Sequence, residues 1–66
     1  MQIKVNNQEV EMPNNCTVNE LIVAQKIPHK GVAIAVNNKV VPKINWENFI
    51  INPNDEILII TATQGG

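Results

Sequence analysis

Four consecutive apolar residues near the end of the chain constrain its fold more than any other segment. The run extends from Ile57 to Ile60 within the sequence EILII. A strand that buries only one face alternates between apolar and polar side chains, whereas an unbroken apolar run suits a central strand with neighbours on both sides. The pattern therefore predicts that the last strand is the central strand of a sheet.

Two hairpins account for the other predicted strands. In the first hairpin apolar residues recur at every second position, and in the second larger apolar residues alternate with alanine. In each hairpin an Asn-Asn pair supplies the left-handed backbone angles that a tight turn requires. The hairpins are MQIKV-NN-QEVEM, with its turn at Asn6 and Asn7, and VAIAV-NN-KVV, with its turn at Asn37 and Asn38. Pro42 then begins an irregular crossover, and the turn NPND precedes the last strand.

One helix is predicted between the hairpins. Thr17 and Glu20 have the spacing of a capping box, in which each side chain bonds a free backbone N–H at the start of a helix. The apolar stripe is predicted to consist of Val18, Leu21 and Ile22, and the helix is expected to end at Pro28. A single amphipathic helix needs a partner layer, so it is expected to cover one face of the sheet.

These elements predict an α+β fold of the β-grasp type. Its mixed sheet has four to five strands, and one helix packs across one face. Residues 1–66 form a single domain, with a flexible C-terminal tail over residues 61–66. The tail ends in Gln64, Gly65 and Gly66, and two adjacent glycines occur together there by chance only about 0.5% of the time. A frayed terminus is the alternative to a functional one.

The composition excludes several classes of site and partner. With one cysteine the chain cannot form an intramolecular disulfide. One cysteine and one histidine are also too few ligands for a structural zinc site. Five lysines, six acidic residues and no arginine give a net charge of −1, so the clustered positive charge that binds nucleic acid is missing. No apolar run is long enough to span a bilayer, and the N-terminal sequence lacks the apolar core of a signal peptide. We therefore expect a cytoplasmic protein without a membrane or nucleic-acid partner.

Catalytic groups are also sparse. Cys16 and His29 have no neighbour in sequence that could activate them, and both are predicted to lie in surface loops. Trp46 and Phe49 are interpreted as anchors that hold the crossover over the core. We predict no catalytic residue and no metal site.

One face of the predicted sheet lacks a cover. Counting alternate positions, the face opposite the helix carries four small or aliphatic residues, and no second helix is predicted to cover them. They are Ala33, Ala35, Leu58 and Ile60. Such an exposed apolar patch beside the tail favours a partner docking surface. The alternative is partial burial by side chains of the outer strands.

Three segments carry a resemblance to a known family. The chain contains V-N-N-K-V-V-P-K-x-x-W, then N-D-E-I-L-I-I, then a terminal Q-G-G. In order and over its whole length it resembles the ThiS sulfur carriers of thiamine biosynthesis, which are ubiquitin-like β-grasp proteins. Val41, Pro42 and Trp46 distinguish it from the small subunits of molybdopterin synthase. It departs from the family pattern at Asn54, where glycine is frequent, and at Thr63, where an apolar residue is frequent.

The resemblance implies a carrier rather than an enzyme. In this family the carboxylate corresponding to Gly66 is adenylated by a ThiF-like enzyme that uses ATP. Sulfur from a cysteine-derived persulfide then converts it to a thiocarboxylate, which donates sulfur to a ThiG-like thiazole synthase. No cofactor is expected to be bound to the chain itself. A molybdopterin-type carrier, a ubiquitin-like modifier joined through Gly66 and a simple interaction module are the alternatives.

Overall fold

The computed structural model describes residues 1–61. Within them the chain forms five strands, one α-helix and a short 3-10 helix. The elements are β1 (Gln2–Val5), β2 (Gln8–Glu11), α1 (Val18–Ala24), β3 (Val32–Val36), β4 (Lys39–Val41), the 3-10 helix (Lys43–Asn45) and β5 (Glu56–Thr61). Within this part of the chain, no helix combines the length and the apolar character needed to cross a membrane.

The five strands form one mixed sheet in the order β2-β1-β5-β3-β4. β5 is parallel to β1 and antiparallel to β3, and the two hairpins flank it on either side. The predicted central position of the last strand is therefore confirmed. A parallel pair cannot be closed by a tight turn, which is why the chain between β1 and β5 includes the helix and the second hairpin.

Both hairpins turn at the predicted asparagine pairs. Asn6 and Asn7 have φ values of 50° and 68°, and Asn37 and Asn38 have φ values of 52° and 72°. Positive φ at both central residues defines a type I′ turn, whose twist matches that of the strands it joins. Each pair thereby determines the register of its hairpin.

The helix begins as predicted and ends earlier than predicted. Thr17 accepts a hydrogen bond from the Glu20 N–H at 3.1 Å, and the Glu20 carboxylate accepts one from the Thr17 N–H at 2.8 Å. The last helical residue is Ala24, and Lys26 follows with a left-handed φ of 57°. The N–H groups of Lys26 and Ile27 donate to carbonyls of the last turn, as in a Schellman motif. The left-handed Lys26, rather than Pro28, therefore ends the helix.

The core lies between the helix and the sheet and is mainly aliphatic. The predicted stripe of Val18, Leu21 and Ile22 is completely buried. Opposite it lie side chains from the strands and the crossover, namely Ile3, Ile34, Val36, Val41, Ile51 and Ile57. Trp46 is buried and donates its Nε1–H to the Val41 carbonyl at 2.9 Å, and the partly buried Phe49 packs against the same cluster. Both aromatic residues therefore hold the crossover on the core, as predicted.

The prediction that Cys16 lies in a surface loop is wrong. Its side chain is 3% exposed and belongs to the core cluster. The backbone carbonyl of Cys16 accepts a hydrogen bond from the Ile51 N–H at 2.8 Å, which ties the start of the helix to the crossover. This long-range pairing turns the side chain inward, and nothing in the local sequence indicates it.

Candidate functional site

The apolar part of the sheet face opposite the helix lies mainly on β3 and β5. In their register Ala33 lies opposite Ile60, and Ala35 lies opposite Leu58. Residues of the other parity, such as Ile34 and Ile57, are buried towards the helix. The four residues proposed from sequence therefore do lie together on one face, the one opposite the helix.

The exposure of these residues is uneven. Leu58 and Ile60 are 48% and 51% exposed, whereas Ala35 is only 7% exposed. Ala35 lies between Leu58 on β5 and Val40 on β4. Because its methyl group is short, the two longer neighbours cover it. The expectation that Ala35 is exposed is therefore wrong, and the residue forms the floor of the patch.

Val40 belongs to the same surface and was not predicted from sequence. It lies opposite Ala35 in the β3–β4 hairpin and is 71% exposed. A two-residue turn at Asn37 and Asn38 places Val36 opposite Lys39 and Ala35 opposite Val40, so the hairpin register could have revealed it. We call the set Ala33, Ala35, Val40, Leu58 and Ile60 the open face.

Charged residues border the open face on the other half of the sheet. Lys4 on β1 lies opposite Glu9 of β2 on one side and Glu56 of β5 on the other. All three side chains are exposed. The apolar part of this sheet face is therefore confined to β3, β4 and the second half of β5.

The open face lies close to the start of the predicted tail. β5 passes through the open face at Leu58 and Ile60 and ends at Thr61, which pairs with Val32. The predicted tail began at residue 61, but the structure places Thr61 in the strand. Gln64, Gly65 and Gly66 lie outside the described residues.

Cys16 and His29 are not brought together with any catalytic partner within residues 1–61. Burial, and secondarily the charge of Glu20, raises the pKa of the Cys16 thiol, which disfavours the reactive thiolate. His29 is exposed as predicted. One of its ring nitrogens, Nε2, lies 3.2 Å from Asn19 Oδ1, and the ring is tilted against Trp46 with centroids 6.2 Å apart. The helix and the crossover thus orient the imidazole without giving it an acid–base partner.

Comparison with known proteins identifies the family. The model of the ThiS family matches residues 1–66. The sulfur carrier protein ThiS of Escherichia coli (strain K12) is 33% identical over 66 residues, which cover 100% of this chain and 100% of that protein.

Solved structures show the same fold. A thiamine biosynthesis protein (ThiS) from Geobacter metallireducens has a TM-score of 0.86 at 20% identity, covering 100% of both chains. A ubiquitin-like protein from the archaeon Caldiarchaeum subterraneum has a TM-score of 0.61 at 18% identity, covering 98% of this chain and 100% of that one. The predicted β-grasp fold is confirmed. From the family match over the whole chain and the 33% identity to the E. coli protein, we conclude that the chain belongs to the ThiS family and is a sulfur carrier of thiamine biosynthesis rather than an enzyme.

Proposed function

We propose that the carboxylate of Gly66 carries the sulfur as a thiocarboxylate. The full-length similarity to a named sulfur carrier supports this proposal, because it extends through the terminal Gly65-Gly66 pair. Glycine has no Cβ, so a backbone of two glycines can pass close to the walls of a narrow active site and adopt the angles found there. Larger side chains at these positions would obstruct that passage.

The proposed chemistry begins with activation of a poor acyl donor. A carboxylate oxygen of Gly66 attacks the α-phosphorus of ATP in a ThiF-like enzyme, and pyrophosphate leaves. The product is a mixed anhydride of Gly66 and AMP. When a nucleophile attacks its carbonyl carbon, AMP leaves far more readily than an oxide ion would leave a free carboxylate. The ATP belongs to the partner enzyme and not to the carrier.

Sulfur transfer then takes two steps. The terminal sulfur of a cysteine persulfide loses its proton and attacks the Gly66 carbonyl carbon, so that AMP leaves and an acyl disulfide forms. A thiol attacks the donor cysteine's sulfur in this disulfide. A new disulfide forms, and the Gly66 thiocarboxylate leaves with the electron pair of the broken sulfur–sulfur bond. A ThiG-like thiazole synthase is the proposed acceptor of this sulfur.

The open face is proposed to dock the ThiF-like enzyme. The observation that carries this proposal is the half-exposed pair Leu58 and Ile60 on the strand that leads directly to the tail. Val40 extends the apolar surface across β3 to β4. Exposed apolar patches of this kind commonly form protein interfaces. A partner bound here would hold the end of β5, from which the tail continues, while Gly66 enters the partner's active site.

Intact mass tests the proposed chemistry. The chain is incubated with the E. coli adenylating enzyme, ATP, a persulfide donor and a thiol. We expect the mass gain of replacing one oxygen atom by sulfur, and no gain when Gly66 is deleted or when Gly65→Val blocks the passage of the tail. Glycine has no side chain to bury in a core, so both variants should keep the circular dichroism of the wild type.

The other outcomes separate the alternatives. A Gly66 deletion that still gains sulfur would refute the proposed site. Covalent adducts between Gly66 and lysines of other proteins would support a ubiquitin-like modifier instead. An unchanged mass in the presence of an enzyme that modifies the E. coli carrier would leave only an interaction module.

A further inference from the structure

The edge of β5 that faces β1 changes its partner halfway along the strand. β1 pairs with β5 only at Lys4 with Glu56 and at Val5 with Ile57. The Asn6 N–H then donates to the Ile57 carbonyl at 2.9 Å, and the chain turns away into the first hairpin. Beyond this point β1 offers no further backbone groups to β5.

The side chain of Asn6 continues the pairing by one step. Asn6 Oδ1 accepts a hydrogen bond from the Ile59 N–H at 2.8 Å, and Asn6 Nδ2 donates to the Ile59 carbonyl at 3.3 Å. A side-chain amide has the same donor and acceptor as a peptide group. It therefore holds Ile59 much as another strand residue would, two positions before β5 ends at Thr61.

Asn37 makes a related contact at the other end of β5. Its Oδ1 accepts from the Glu56 N–H at 3.0 Å, and its Nδ2 donates to Asp55 Oδ1 at 3.0 Å. Asn6 and Asn37 are each the first of the two central residues of a type I′ turn, with φ values of 50° and 52°. Glycine would satisfy the turn at either position, but it would remove the amide. Among the hydrogen bonds of residues 1–61, the second asparagines, Asn7 and Asn38, make no such side-chain contact with β5.

We infer that Asn6 is a positioning residue for the sulfur-carrying tail, an inference that rests on the proposed function. The Asn6 amide holds the last part of β5 from the β1 side, while β3 holds it from the other side at Val32 and Ala33. Without the amide, Ile59 is paired on one side only, and the end of the strand opens more often. The adenylating enzyme must then order this segment when it binds, so its affinity for the carrier falls.

Three glycine variants separate positioning from stability. Asn6→Gly keeps the turn and removes the contact with Ile59. Asn37→Gly keeps its turn and removes a matched contact at the far end of the same strand. Asn7→Gly keeps the first turn and removes no contact with β5. Asn6→Asp retains the Oδ1 acceptor for the Ile59 N–H but loses the donor.

Two measurements are made on each variant. For Asn6→Gly we expect the amide of Ile59 to exchange with solvent at least about tenfold faster, relative to the Leu21 amide in the helix. Steady-state adenylation by the ThiF-like enzyme should show KM raised about threefold to tenfold with kcat nearly unchanged, the factor expected from the loss of one or two hydrogen bonds. Asn6→Asp should recover part of both effects. Asn7→Gly and Asn37→Gly should keep the wild-type KM.

Each contrary result overturns a defined statement. A wild-type exchange rate at Ile59 in Asn6→Gly would show that the amide does not hold the strand. An equal rise in KM for Asn6→Gly and Asn37→Gly would show that the affinity for the enzyme depends only on the stability of the strand. A wild-type KM in Asn6→Gly would exclude a positioning role for Asn6. If the wild-type chain is not adenylated at all, the proposed function fails together with the inference. If it is adenylated and Asn6→Gly behaves identically, only the inference fails.

Discussion

Asparagine occupies six of the seven non-glycine positions with positive φ within residues 1–61. Its short amide can bond nearby backbone groups, so it tolerates the left-handed region better than other residues with a Cβ. Asn54 (φ 68°) is the left-handed residue of the turn before β5. Asn6 and Asn37 add contacts to β5 that glycine lacks. At these two positions the residue type contributes hydrogen bonds as well as backbone geometry.

At the same scale, Cys16 is predicted to be unreactive in the folded protein. Its thiol is buried and its pKa is raised, chiefly by desolvation, so little thiolate is present and access is poor. Iodoacetamide should alkylate it at least about tenfold more slowly in buffer than in concentrated urea, as followed by mass spectrometry. Equal rates in the two solvents would contradict the burial.

Substitution of Cys16 is predicted to affect stability rather than sulfur transfer. Cys16→Ser places a hydroxyl in an apolar site and should lower the free energy of unfolding by about 1–3 kcal/mol, measured by urea denaturation. His29→Ala is the matched exposed change and should have a small effect of about 0.5 kcal/mol or less. Loss of sulfur transfer in a variant that remains folded would show that one of these residues takes part in the chemistry.

The stability of α1 depends on its ends and on its packing. With seven residues it is too short to be stable alone in water. The capping box satisfies its first turn, and the buried stripe attaches it to the sheet. Its C-terminal end is less favourable, because Lys26 occupies a left-handed position where glycine is usual.

Lys26→Gly is therefore predicted to stabilise the protein. The left-handed conformation costs a residue with a Cβ about 1–2 kcal/mol, and the greater freedom of glycine in the unfolded chain offsets part of the gain. We expect the free energy of unfolding to rise by about 0.5–1 kcal/mol, measured by urea denaturation. Lys30→Gly is the control, since Lys30 is exposed and has no positive φ. A stability change of the same sign and size in both variants would disprove the explanation.

At the scale of the whole molecule, one face of the sheet packs on the helix, and within residues 1–61 no helix covers the other face. Alternate residues of β5 divide between these faces, since Ile57 is buried and Leu58 and Ile60 are half exposed. Ile59 points to the same face of the sheet as Ile57 but is only partly buried. A change at Ile59 is thus a weaker probe of the buried face than a change at Ile57.

Charge substitutions on β5 should distinguish the two faces. Leu58→Glu keeps its carboxylate hydrated in the free protein, so stability should change by about 1 kcal/mol or less. In a complex the same charge loses water without gaining a partner, so binding of the proposed ThiF-like partner should weaken by about 100-fold or more. Circular dichroism and a binding titration measure the two effects.

Ile57→Glu is the matched control for the buried face. An unpaired charge in the core costs about 3–5 kcal/mol, which is most of the stability expected for a domain of this size. We expect this variant to be unfolded. If Leu58→Glu is unfolded as well, the open face is not a free surface. If it is folded and binds normally, docking takes place elsewhere.

Local patterns in the amino-acid sequence were sufficient for the elements and their order. Period-two alternation, two Asn-Asn pairs and a capping box depend on neighbours a few residues apart, and each produced the predicted strand, turn or helix start. The unbroken apolar run likewise placed β5 at the centre of the sheet. Counting alternate positions along β3 and β5 also placed Ala33, Ala35, Leu58 and Ile60 on the correct face of the sheet.

The tertiary structure alone decided how far each side chain is buried and which distant groups it contacts. Ala35 is covered because Leu58 and Val40 lie on either side of it, and Cys16 points inward because its backbone pairs with Ile51. Asn6 contacts Ile59 across 53 positions of sequence. Burial and long-range hydrogen bonds depend on residues that only the folded chain brings together, whereas a strand, a turn or a helix cap is already specified by the residues adjacent to it.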